Sequence, residues 1–363
     1  MEMLKIVGVG DPVIPEETME VIFRQQSRLK GEFNKVSWGV SDPGQLQHLR
    51  SIYEAEGPGA VPAPRHILEQ AAEAQILVVH FTPVSGEIIA GLPALKIIGA
   101  ARAGVENIDL EAANRKGVLV FNVTGRNAEA VSDFTIGLIL AESRNIARSH
   151  LALHKGSWRK QFVNTPYSGV LRGKTTGLVG YGRIGRLVAR KLKGFGVRIL
   201  VYDPYAAADM IVADGCKTTG ISELFRQSDF ISLHARLTGE TRHLVNAELI
   251  TEMKPSAYFI NTARAGLVDH SALIKALKEK RIGGAALDVY EMEPLPQDSP
   301  LLKLDNITLT SHLAGVTQDT YRLSMELLYK NLADFLEDGR QDNLVNPAAV
   351  KHPDLQDWLA AQR

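Results

Sequence analysis

Gly177-Leu178-Val179-Gly180-Tyr181-Gly182-Arg183-Ile184-Gly185 completes a short apolar run and opens a helical pattern over 183–192. Its three spaced glycines have distinct uses. Gly180 permits a tight turn, Gly182 lets the backbone approach a pyrophosphate, and Gly185 lets the helix pack closely on the strand. The start of the helix presents unsatisfied N–H groups and a partial positive charge to phosphates. Such a glycine pattern alone is weak evidence. Here the next apolar run, 197–202, ends in Asp203, 18 residues after Gly185. A carboxylate at that strand end accepts hydrogen bonds from ribose hydroxyls and repels a 2′-phosphate. Pro204-Tyr205-Ala206 follows, without a basic residue to receive that phosphate. The whole unit points to NAD in preference to NADP.

The same rhythm extends in both directions. Strands are predicted downstream at 176–180, 198–202, 230–234, 258–261, 285–289 and 307–309, and upstream at 4–9, 35–40, 76–81, 95–100 and 118–123. Helical patterns at 16–29, 65–74, 87–92 and 109–116 separate the upstream set. Continuous apolar strands alternating with helices imply an α/β protein with parallel sheets covered on both faces. The Gly- and Pro-rich stretch 41–64 interrupts the pattern and reads as a surface insertion. One long, apolar helix is expected over 127–154, and an amphipathic one over 318–336.

Composition narrows the class. Lys+Arg and Asp+Glu both number 41 in 363 residues, so no nucleic-acid or anionic membrane partner is expected. A single cysteine, Cys216, excludes an intrachain disulfide framework and cysteine-based metal clusters, and no metal site is expected. No basic leader precedes a long apolar stretch, and apolar runs such as 134–141 are too short to span a bilayer. A soluble, cytoplasmic protein is therefore expected.

Three ionisable residues stand just beyond predicted strands. They are Arg264 in Asn261-Thr262-Ala263-Arg264-Ala265-Gly266, Glu293 in Tyr290-Glu291-Met292-Glu293-Pro294, and His312 in Thr310-Ser311-His312-Leu313-Ala314-Gly315. Open α/β sheets bind ligands outside the carboxyl ends of their strands. Reducing a 2-oxo acid needs a hydride, a cation for the carboxylate, and an acid for the carbonyl oxygen. Arg264 offers a planar fork for carboxylate and carbonyl oxygens. His312 can donate and accept a proton near neutrality. Glu293 can orient it.

These segments resemble the D-isomer-specific 2-hydroxyacid dehydrogenase family over nearly the whole chain, most densely from Ala101 to Gly315. The resemblance implies two domains with parallel sheets, Rossmann-like and flavodoxin-like, with the NAD domain (124–315) inserted into a substrate domain (1–123 and 316–363). It makes Arg264, Glu293 and His312 catalytic. It gives the cofactor Gly180, Gly182, Arg183, Ile184, Gly185, Asp203, Thr262, Ala263, Asp288 and Gly315. Arg102, Ala103 and Gly104 would bind substrate with Arg264 and His312, the loop around them holding the carboxylate through backbone N–H groups. The apolar helix from Asn127 would form a homodimer.

Four residues at three places depart from the family pattern. They are Ala265 for the usual Gly, Ser311 for a common Pro, and Ala235-Arg236 for a hydrophobic-Pro pair. None removes a catalytic group. The substrate stays open among glyoxylate, hydroxypyruvate, 3-phosphoglycerate and longer sugar acids. Phe81-Thr82-Pro83 is placed at the pocket. Arg102 or Arg126 is a candidate for a second anionic group or several hydroxyls, and equally a salt-bridge partner. The second functional reading is an NAD-sensing, corepressor-like binding protein of the same fold.

Overall fold

The structure is a computed structural model that describes residues 3–62 and 64–362. The chain divides into two compact units, Met1–Arg126 with Thr317–Arg363, and Asn127–Val316. The crossings fall at 126–127 and 316–317, where the sequence reading placed 123–124 and 315–316. No helix among the described residues is long and apolar enough to cross a membrane.

The first unit holds five parallel strands: β1 (Leu4–Gly10), β2 (Gly31–Ser37), β3 (Ile76–Val79), β4 (Ile97–Ala100) and β5 (Leu119–Phe121). Their order is β2-β1-β3-β4-β5. Alternate side chains feed opposite faces. Leu77, Val79 and Ile98 meet Ile67, Ile88 and Ala113 on one face. Ile76, Val78 and Ile97 meet Met19, Met325 and Leu328 on the other. Met325 and Leu328 come from the helix Gln318–Asp338, which carries the end of the chain back to this unit. Burying each such side chain contributes about 2 kcal/mol, enough to hold the returning helix.

Two expectations here are corrected. The second strand runs Gly31–Ser37, not 35–40. It is an edge strand that buries only Phe33 and Val36, so its charged residues hide the apolar signal. The stretch 41–64 is no irregular surface insertion. It contains the helix Pro43–Glu56, capped by Asp42, whose carboxylate accepts from Gln45 N at 2.6 Å. Leu46, Tyr53 and Val61 are buried in the core. The glycines and prolines punctuate its ends, and its interior has none.

The second unit holds seven parallel strands among the described residues: β6 (Thr175–Val179), β7 (Arg198–Tyr202), β8 (Lys217–Thr218), β9 (Phe230–Leu233), β10 (Tyr258–Asn261), β11 (Gly284–Leu287) and β12 (Ile307–Leu309). Their order is β12-β11-β10-β9-β6-β7-β8, so the sequence direction reverses between β6 and β9. The two-residue strand β8 was too short to be seen as a pattern. The expected single helix over 127–154 is two, Ala128–Ser143 and Ile146–His154. Asn145, with φ of +57°, turns the chain between them. Glu142 there is buried and accepts from Arg148 Nη2 at 2.5 Å and Thr308 Oγ1 at 2.6 Å. Helical spacing continues on both sides of the break, which conceals it in the sequence.

Candidate active site

In the second unit, the glycine turn follows β6 at the switch point of the sheet. Gly180 has φ of +98°, and a Cβ there would come within 2.5 Å of Ala235 N. A Cβ on Gly185 would lie 2.4 Å from Gly180 O, so neither position accepts a side chain. At Gly182 a Cβ would meet nothing within 4 Å. That open space lies over the start of the helix Arg183–Lys193, where a pyrophosphate fits. Arg183 opens this helix, and Ile184 packs against the core beneath it.

Asp203 is fixed at the end of β7. Its Oδ2 accepts from Tyr181 N at 2.6 Å, and its Oδ1 from Tyr205 N at 2.8 Å and Ala206 N at 3.1 Å. The turn and the acid are thus one braced structure. His234, outside every motif singled out in the sequence, follows β9 beside the turn. Its Nε2 lies 3.0 Å from Ser232 Oγ, and burial pushes the imidazole down to about 3, so it is neutral there. Its place at a strand end facing the glycine turn was the available signal.

Arg264, Glu293 and His312 stand beyond the carboxyl ends of β10, β11 and β12. Asn261 clamps the first loop, its Oδ1 accepting from Ala263 N at 2.9 Å and its Nδ2 donating to Arg264 O at 3.0 Å. Thr262 Oγ1 lies 2.8 Å from Thr135 Oγ1. Arg264 is exposed, and Nη1 donates to Ala263 O at 2.7 Å. His312 Nδ1 donates to Glu293 Oε2 at 2.7 Å, while Glu293 Oε1 accepts from Tyr290 N at 3.0 Å. Burial alone would raise the Glu293 carboxyl. The His312 and Tyr290 hydrogen bonds and the Arg264 charge outweigh it and hold the group below the usual carboxylate range. With Nδ1 engaged, His312 Nε2 is the nitrogen available for proton transfer.

Asp288 has a role that the sequence did not reveal. The resemblance placed it at the nicotinamide. In the structure it is fully buried, and its carboxylate accepts from Thr310 Oγ1 at 2.6 Å, Leu313 N at 2.9 Å and Ala314 N at 2.9 Å. It therefore ties down both sides of His312, which sits at φ of +56°, an unfavourable conformation for a non-glycine residue. Gly315 closes the loop, where a Cβ would meet Asn127 Nδ2 at 2.7 Å. Asp288→Asn would turn one acceptor into a donor facing a backbone N–H. We expect a loss of about 3 kcal/mol in denaturant stability, together with a fall in kcat beyond tenfold. A stability loss with kcat unchanged would refute the bracing role.

The first unit gathers a second group of polar residues at the carboxyl ends of its own strands. Asp11, after β1, accepts from Val13 N at 2.8 Å, Ile14 N at 3.0 Å and Phe81 N at 2.8 Å. His80, after β3, places Nδ1 3.2 Å from Asp11 Oδ2. Burial drives the His80 imidazole down against the opposing pull of Asp11. Its Nε2 thus accepts from Arg126 Nη1 at 3.4 Å, and Arg126 also donates to Ala101 O at 3.2 Å and Ser324 Oγ at 3.1 Å. Arg102, after β4, donates from Nη1 to Tyr53 Oη at 3.2 Å. Asn122 Nδ2 holds Ala103 O at 2.6 Å, and Gly104 follows. The switch point of this sheet, between β1 and β3, is therefore occupied by the Asp11–His80 pair.

Residues 136–314 match the family model described as D-isomer specific 2-hydroxyacid dehydrogenase, NAD binding domain. A glyoxylate reductase of Korarchaeum cryptofilum is 38% identical over 302 residues, 83% of this chain and 90% of that protein. A D-3-phosphoglycerate dehydrogenase of Methanocaldococcus jannaschii is 41% identical over 313 residues, 85% of this chain and 59% of its own length. The apo structure of D-lactate dehydrogenase from Escherichia coli is similar with a TM-score of 0.68 at 26% identity, over 94% of this chain and all of that one.

Proposed function

The chain belongs to the D-isomer specific 2-hydroxyacid dehydrogenases, NAD-dependent oxidoreductases, and from that premise we propose specific roles for its residues. The glycine turn 180–185 and Asp203 would hold NADH, which would supply the hydride that C2 of a 2-oxo acid accepts. His312 Nε2 gives a proton to the carbonyl oxygen, and takes it back in the oxidative direction. Glu293 holds the imidazole by Nδ1 and balances its charge. Arg264 grips the substrate carboxylate and carbonyl oxygens with two parallel N–H groups. Asp203 receives the ribose hydroxyls and discriminates against NADP. The first unit is the substrate unit, and the backbone of 101–104 receives the carboxylate. The observation that carries this reading is the 2.7 Å His312–Glu293 hydrogen bond, on the carboxyl edge of the sheet that also bears the glycine turn.

The relatives named above are named for enzymes, so the corepressor-like alternative is not favoured. A homodimer is the assembly we propose. Ile146, Leu151, Leu153 and Trp158 stand exposed on the segment after the apolar helix, the region such a contact would cover. Light scattering at micromolar protein should give twice the chain mass.

The experiment is NADH or NADPH oxidation with glyoxylate, hydroxypyruvate and 3-phosphohydroxypyruvate. At least one should be reduced, with kcat/KM at least about tenfold higher for NADH, because a 2′-phosphate would face the Asp203 carboxylate. No oxidation of either cofactor by any 2-oxo acid would refute the reading.

A further inference from the structure

Three guanidinium groups of the first unit gather at the carboxyl edge of its sheet. Phe81 follows β3, Arg102 follows β4 and Arg126 follows β5, while Arg50 comes from the helix Pro43–Glu56 after β2. Arg50 Cζ lies 4.2 Å from the Phe81 ring centroid, and Arg102 Cζ lies 5.0 Å from the same centroid. Burial depresses the Arg126 guanidinium, and the charges of Arg102 and Arg50 add to that effect. Cations crowded this closely need negative charge nearby.

The chain supplies that charge loosely. Glu54 Oε1 bridges two of the cations, 3.4 Å from Arg50 Nη2 and 3.7 Å from Arg102 Nη2. Glu106 Oε2 lies 3.2 Å from Arg102 Nη2. Close charge-assisted bonds are about 2.7–2.9 Å. Both carboxylates belong to solvent-exposed side chains, at 40% and 53% relative exposure, so leaving costs little. Beside the Phe81 ring, the shielded Nε of Arg50 has no hydrogen-bond partner among the described residues, and neither has the buried hydroxyl of Thr82, the next residue in the chain after Phe81. Glu106 also folds against the substrate loop, since a Cβ on Gly104 would come within 2.2 Å of its Oε2. The chain's own carboxylates thus occupy the places where a ligand's oxyanion would sit.

We propose that Arg50 and Arg102 form an oxyanion subsite for the far end of the substrate. The preferred 2-oxo acid then carries a second anionic group, a carboxylate or a phosphate, that displaces Glu54 and Glu106. This rests on the reading that loop 101–104 takes the first carboxylate. The helix Pro43–Glu56 supplies Arg50, Tyr53 and Glu54, so its function is to build and guard this subsite.

The test is calorimetric binding to the full-length protein in the presence of NAD, with NADH oxidation read in parallel. Two pairs are compared: 2-oxoglutarate with 2-oxovalerate, and 3-phosphohydroxypyruvate with hydroxypyruvate. In at least one pair the dianion should bind about tenfold or more tightly, and the pair that shows it tells carboxylate from phosphate. Arg50→Gln should remove most of that preference, whereas Glu54→Gln should increase it severalfold by removing the competing anion. Equal binding within both pairs, a preference surviving Arg50→Gln, or a preference weakened by Glu54→Gln would each overturn the subsite. Reduction of glyoxylate without any dianion preference defeats the subsite alone. Dianion preference without NADH oxidation by any 2-oxo acid supports the subsite and defeats the assigned chemistry.

Discussion

His312→Asn is expected to lower kcat by about 10³-fold while leaving NADH affinity within about twofold, because a positioned general acid contributes 10²–10⁴-fold. The asparagine can still accept or donate near Glu293, but it cannot deliver a proton at neutral pH. The glycine turn and Asp203 lie on other strands and are untouched by the change. Stopped-flow hydride transfer and NADH fluorescence titration separate the two effects. Glu293→Gln should cost less, about tenfold, since an amide oxygen can still orient the ring. The wild-type pair has a definite pH sign. Glu293 is held below the ordinary carboxylate range. Its contribution is therefore intact above about pH 5 and is lost only as the pH falls through its depressed value. A pair already lost near pH 6 would contradict the geometry.

Arg264→Gln should reduce kcat/KM by about 10³-fold, equivalent to roughly 4 kcal/mol of transition-state stabilisation. The guanidinium fork serves both the carboxylate and the oxygen that gains charge as hydride arrives, so kcat and KM should both suffer. Arg264→Lys should recover only part of the loss, because an ammonium supplies charge without two parallel bonds. Steady-state kinetics with the best substrate of the 2-oxo acid panel measures both variants. An unchanged KM with Arg264→Gln would remove this residue from substrate binding. Asn261 holds the loop from behind, so the loss is attributable to the side chain and not to collapse of the loop.

The parts of this site that are contiguous in sequence were legible there. The glycine turn reads directly because each glycine answers a steric demand of one βα junction. Asp203, Arg264, Glu293 and His312 read because each follows a strong apolar run. Groups that the sheet brings together from distant positions were not legible. Asp11, His80 and Arg126 follow strands far apart in the chain, and only the parallel order β1-β3-β4-β5 makes them neighbours. Asp288 was given to the cofactor by the resemblance, but its bonds to the amides of Leu313 and Ala314, which brace the His312 loop, were not legible. The helix Pro43–Glu56 was hidden by the glycines and prolines at its own ends, although its apolar positions Leu46 and Tyr53 reach the core. For Asp11, His80, Arg126 and Asp288 the missing information was a tertiary neighbour; for the helix it was a local signal that marks an element's ends and reads as irregular chain.

Hydride transfer to C2 of a 2-oxo acid, with His312 protonating its oxygen, leaves a label in the product. The most direct measurement is reduction of hydroxypyruvate with NADH carrying deuterium at the transferred C4 position, followed by chiral analysis and mass spectrometry of the product. D-Glycerate with one deuterium at C2 is expected from the wild type and is expected to be lost with His312→Asn. Product of the L configuration, a C2 without deuterium, or equal turnover by His312→Asn would contradict it.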